Sequence, residues 1–161
     1  MIAGIGSIFL WMYWPSFNGA LVSGVQQERV IINTVLGITG SCMAAACVAR
    51  YLFGKLEMEI MLNATLAGGV AVGSSANLFD HPWQAMVVGF IAGALSSIGF
   101  QRIGPFLSEN INLQDTCGVN SLHGMPGIMG GVVSAIVIAG IENKGFPINS
   151  DIFTDGVTFS E

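Results

Sequence analysis

Charged side chains divide this chain into long silent runs. No Asp, Glu, Lys or Arg occurs in Met1–Gln27, Val30–Ala49, Ile60–Phe79, His81–Gln101 or Thr116–Ile141. Each run holds at least 20 residues, and about 20 residues at 1.5 Å each are what a helix needs to cross a bilayer. A helix on the surface of a soluble protein places charge on its wet face every turn; these segments place none. The pattern predicts an all-α polytopic membrane helix bundle of five transmembrane helices, at about 2–23, 30–50, 60–78, 83–104 and 117–141, with a polar extramembrane segment over 142–161.

The polar interruptions predict the connections. Gln26-Gln27-Glu28-Arg29 reads as a short loop, 51–59 as a second, Ser74 to Pro82 as a turn, and Pro105 to Gln114 as a polar link. Pro15 is expected to bend the first helix, with a break at Pro15-Ser16 that frees backbone carbonyls. Gly69/Gly73, Gly89/Gly93 and Gly127/Gly131 form small-xxx-small pairs, which let membrane helices approach closely. Trp83 suits a membrane–water interface.

Composition agrees with the pattern. Of 161 residues, 52% are hydrophobic and 9% charged, against about 25% charged in soluble domains. The net charge of −5 comes without any basic cluster, which argues against nucleic acid as a partner. The first run lacks a basic start and an Ala-x-Ala-like cleavage site, so it is not expected to be a removable signal. Cys42, Cys47 and Cys117 stand at spacings that give neither a disulfide framework nor a zinc site. Arg50, Lys55 and Arg102 fall on one side of five spans, Arg29 and Lys144 on the other, a balance that leaves orientation open.

The most unusual side chain is His123, inside the 26-residue run Thr116–Ile141. An unpaired polar group in hydrocarbon costs several kcal/mol, so the imidazole should face a polar cavity or the bundle interior. Intramembrane ionisable groups mark transport paths or proton relays, and a neutral imidazole offers one donor and one acceptor to a small solute. The alternative is a histidine bonded to a neighbouring helix for stability alone. His81, in a turn beside Asp80 and Pro82, reads as a solvated or capping residue. Spacing alone favours packing for Phe17, Trp14 and Asn18. Asp115 or Thr116 stands where a short oxygen-bearing side chain caps the last helix. No phosphate loop, nucleophile elbow, zinc-protease motif or paired intramembrane carboxylates support an enzyme.

Four stretches together resemble the Rh glycoprotein branch of the ammonium transporter family: Phe9-Leu-Trp-Met-Tyr-Trp-Pro-Ser-Phe-Asn18, Asn63-Ala-Thr-Leu-Ala-Gly-Gly-Val-Ala-Val-Gly73, His81-Pro82, and Asp115-Thr-Cys-Gly-Val-Asn-Ser-Leu-His-Gly-Met-Pro-Gly127. The resemblance extends over roughly residues 1–140. It implies a trimer in the plasma membrane, each protomer with its own pore between two five-helix halves of inverted topology. Ammonium sheds a proton and a neutral species crosses an apolar, histidine-lined pore without a cofactor. By this resemblance His123 corresponds to the second of two pore histidines, Phe17 to a phenylalanine of the outer gate, and Trp14 and Asn18 to pore-adjacent positions. Asp115 corresponds to a structural acidic anchor near the helix end.

The family's first pore histidine comes from a helix preceding those found here. The chain therefore corresponds to helices six to ten, the second half alone, and is expected to supply only half of a pore. A second reading, of another class, is a short non-conducting structural or regulatory subunit that associates with longer homologous protomers.

Overall fold

The computed structural model describes residues 2–143. Six α-helices follow one another: α1 Ile2–Asn18, α2 Gly24–Leu52, α3 Met58–Val72, α4 Pro82–Ile98, α5 Gly104–Ile111 and α6 Met125–Asn143. A π-helical turn, Gly99–Ile103, joins α4 to α5, and another, Asn120–Gly124, leads into α6. Of the predicted polar segment 142–161, residues 144–161 lie outside the described residues.

Helix α2 is the centre, packed between α3 and α4. The contact is backbone on backbone. A Cβ on Gly68 and a Cβ on Gly89 would both run into the carbonyl of Gly37, so three helices cross at one peptide group. Gly40 lies as tightly on Met86, and Gly93 on Ser41. Ser41 then stitches α2 to α3: its Oγ–H donates to the Ala64 carbonyl (2.6 Å) while the oxygen accepts the Gly68 N–H (3.1 Å). Of the expected small-residue pairs, Gly89/Gly93 packs against α2, whereas Gly131 has nothing within 4 Å and Gly130, its neighbour, sits on Ala71. Pattern showed that small residues were present, but not which azimuth faced a neighbour.

Three helical paths, Gly24–Leu52, Pro82–Ile111 and Asn120–Gly140, are long and apolar enough to cross a bilayer. Met58–Val72 has 15 residues and spans about 22 Å, less than the roughly 30 Å of hydrocarbon. The charge-free run continues past it as tight turns, as the turn expected over Ser74 to Pro82 requires, with the Gly73, Ser75 and Leu78 N–H groups donating three residues back. Non-helical backbone at such a depth has to be buried in protein, and here α2 covers it. Asn33, 2% exposed, donates Nδ2 to the carbonyls of Ala76 (2.8 Å) and Phe79 (3.5 Å). Arg29 donates to the Asn77 carbonyl (3.4 Å).

Residues 26–29, expected as a loop, are instead the first turns of α2. Gln, Glu and Arg are good helix formers; their polarity marks the edge of the apolar layer, and the helix runs on through it. The link expected over 105–114 is likewise helical as far as Ile111, closing on Asn112 in the left-handed region (φ 57°) with Leu113 N–H donating to the Leu107 carbonyl (3.2 Å).

Two prolines explain the π-helical turns. A proline inside an α-helix has no N–H for the carbonyl four residues back and clashes with it. Gly99–Ile103 occupies the sixth to the second residue before Pro105, and Asn120–Gly124 occupies the same positions before Pro126. In each case the residue just before proline donates five residues back, Gly104 to Gly99 and Met125 to Asn120. The wider turn lets the helix continue past the ring. The two turns touch, because a Cβ on Gly99 would lie 2.9 Å from Ser121 Oγ.

Two outcomes test this packing in purified, detergent-solubilised protein. Gly89→Val should lower the melting temperature or abolish folding, because its side chain can only push on the Gly37 backbone. Gly131→Ala should stay within about 0.5 kcal/mol of the parent. Equal melting of the two variants would remove the three-helix crossing as the organising contact. Asn33→Leu should destabilise by about 1–3 kcal/mol, the cost of leaving a buried carbonyl unpaired, seen as an earlier thermal transition.

Candidate functional site

Helix α1 has two faces with different work. Trp11, Trp14 and Asn18, at positions i, i+3 and i+7, turn towards the bundle. Trp11 Nε1 donates to Thr65 Oγ1 (3.2 Å). Asn18 Nδ2 donates to the Gly69 carbonyl (3.0 Å) and Thr34 Oγ1 (3.2 Å), joining the end of α1 to α2 and α3 together. Trp14 lies flat on Gly69, where a Cβ would come within 2.6 Å of Nε1. Pro15 is buried within α1 and does not end it; the helix runs to Asn18, and the expected break at Pro15-Ser16 does not form.

A groove of about 980 Å³ runs along α1 beside α3 and the α6 path, walled by Leu10, Tyr13 and Phe17, by the edges of Trp14 and Asn18, and by Leu21 just past the helix end. His123 reaches it from the π-helical turn before Pro126. Its imidazole stacks on the Trp14 indole, ring centroids 6.1 Å apart and planes 15° from parallel. Phe17 meets Trp14 edge-on (6.4 Å, 61°) and is 76% exposed. Among the described residues the imidazole makes no hydrogen bond, so none of them occupies either ring nitrogen. Trp14 Nε1 is buried without an acceptor among the described residues, which leaves the indole held by its faces, between Gly69 and His123.

The structure thus brings Trp14, Phe17, Asn18 and His123 to one groove. Asn18 contributes through its bonds to α2 and α3. Asp115 stands apart, below the start of the last helical path. Its carboxylate oxygens accept the N–H groups of Val119 (2.8 Å) and Asn120 (2.8 Å), and its carbonyl accepts Gly118 N–H (3.1 Å). An anion on free helix N–H groups is a favourable cap, and here it holds the first turn from which His123 projects. His81 N–H donates to Gln84 Oε1 (3.0 Å) at the start of α4, away from the groove. Among the described residues no three His, Cys, Asp or Glu side chains converge on a metal position.

Two features of the site escape sequence reading. The π-helical turn that aims His123 is signalled only by Pro126, three residues on. The seat for Trp14 depends on Gly69, one of two adjacent glycines in α3.

This geometry has relatives. A sequence model of the Ammonium Transporter Family matches residues 1–158. The ammonium transporter Rh type C of Macaca mulatta is 47% identical over 142 residues, and that of Homo sapiens 46%; each alignment covers 86% of this chain and 30% of the relative. Among solved structures, Nitrosomonas europaea Rh50, described with the Rhesus protein family of channels, superposes with a TM-score of 0.80 at 40% identity, over 89% of this chain and 38% of that one. A sensor Amt protein superposes with a TM-score of 0.72 at 29% identity, over 82% and 32%. The chain spans about a third of the length of the curated relatives it matches. With its helices apolar enough to cross a bilayer, its groove beside α1 and these matches, it is an integral membrane chain that belongs to the ammonium transporter family.

Proposed function

We propose that this chain forms one wall of a transmembrane ammonia/ammonium pathway of the Rh type, and that the groove beside α1 is that wall. The observation that carries it is the Trp14–His123 stack: an imidazole with no hydrogen-bond partner among the described residues, held at a set angle in a largely apolar groove. An ammonium ion entering such a groove loses hydration that its apolar lining does not replace, and an unpaired charge pays heavily for that loss. Ammonia pays far less. The favoured course is transfer of the proton to bulk water at the mouth and passage of the neutral amine, with His123 exchanging hydrogen bonds as acceptor and donor. Trp14 keeps the ring from turning into the bundle, Phe17 narrows the mouth, and Asp115 holds the turn that projects His123.

In this reading α1 and α3 cross the membrane along with the three longer paths, α3 being extended by the turns that Asn33 pins. The other wall comes from protein outside this chain, in a trimer at the plasma membrane; the relatives' names support the permeant. His123→Ala, in the protein at the length its source cells make it, should lower ammonia or methylammonium flux roughly tenfold, the loss of about 1.4 kcal/mol of interaction. Undiminished flux in a well-inserted variant would sink the pathway. Phe17→Ala should raise methylammonium flux relative to ammonia by widening the mouth, measured as a ratio of initial uptake rates in proteoliposomes.

A further inference from the structure

We propose that Ser74 is a second hydrogen-bonding station for the amine in the same groove, set in place by Ser134; this rests on the pathway reading above. The hydroxyls of a membrane helix ordinarily spend themselves on their own backbone. This protein follows that habit at Thr39, which donates to the Val35 carbonyl (2.8 Å), at Ser97, which donates to Gly93 (2.8 Å), and at Thr65, which donates to Leu62 (2.9 Å). Ser74 and Ser134 break it. Ser134 Oγ–H, on α6, donates across to Ser74 Oγ at 2.8 Å. Ser74 belongs to the tight turns after α3, and it lines the groove.

The consequence is a polarised hydroxyl in a wall that is mostly apolar. With its oxygen already accepting from Ser134, Ser74 keeps one lone pair for an N–H and its own O–H for a nitrogen lone pair. Ammonia can make both bonds, whereas ammonium, which has no lone pair, can only donate to the Ser74 oxygen. The position is on the path. Gly73 faces Asn18, four residues beyond Trp14 along α1, so Ser74 lies on the Phe17 and Leu21 side of His123. Ser134 lies eleven residues past His123 on the same helical path, about 16 Å at 1.5 Å per residue. A solute following α1 from Leu21 meets Ser74 first and His123 afterwards.

Ser74 is the contact and Ser134 a positioning residue, which makes separable expectations. In proteoliposomes carrying the native-length protein, with methylammonium as the probe, Ser74→Ala should raise the half-saturating concentration roughly fivefold, as the loss of one hydrogen bond does. The maximal flux should change less. Ser134→Ala should shift half-saturation in the same direction by a smaller factor, and the double variant should be no worse than Ser74→Ala alone. Ser74→Thr, which keeps the hydroxyl, should restore it. A Ser74→Ala variant with unaltered half-saturation, in a protein where His123→Ala does reduce flux, overturns the station and leaves the pathway standing. A lowered melting temperature with unaltered half-saturation overturns it too, by making the pair a structural clasp. Flux indifferent to both His123→Ala and Ser74→Ala removes the pathway and the station together.

Discussion

The peptide carbonyl of Gly37 is the point on which this molecule is assembled. It lies against Gly68 of α3 and Gly89 of α4 with no room for a side chain on either. Lipid gives apolar helices no reason to leave it for one another, so close van der Waals packing must supply the drive. That explains why the buried interior is made of Ala, Gly and Ser as much as of Leu or Ile. Everything about the groove is hung from this crossing. α3 is fixed on α2, Asn18 and the two indoles then fix α1 on α3, and Trp14 finally sets the plane of His123.

Much of this was legible beforehand, because the signal was thermodynamic. A run of 20 residues without charge has few places to go but hydrocarbon, and the runs from Val30 and His81 do fall on helices long enough to cross. The ends of helices were harder to see. Charge at Glu28 and Arg29 records where water begins, and α2 simply passes through that level. At the far end of α3 the turn expected over Ser74 to Pro82 does form, and the uncharged stretch 73–79 leaves the helix where Asn33 and Arg29, distant in sequence, satisfy its carbonyls. Pairings of that kind leave no periodic trace.

The groove divides in the same manner. His123 announced itself through chemistry that a bilayer does not tolerate idly. Trp14 and Asn18 looked like packing by spacing alone, and they do pack, with Asn18 bonded to two helices at once. What joins them to the groove is a stack across more than a hundred residues of chain. The hydroxyls of Ser74 and Ser134 were invisible for a simpler reason: serine is common in such helices, and only coordinates reveal which ones have turned away from their own backbone.

The prolines after the π-helical turns have one more implication. A π-helical turn is an extra residue in the winding, a kind of dislocation, and it turns the helix before it by about 100° relative to an unbroken α-helix. An unanchored dislocation is free to glide, one hydrogen bond at a time, dragging each side chain it passes around the axis. Pro105 and Pro126 stop that glide in the C-terminal direction, because neither nitrogen has a proton to hand on. Asp115, clamped on the Val119 and Asn120 amides, stops it in the other. His123 sits between two such pins, its compass bearing locked by residues that never touch its ring.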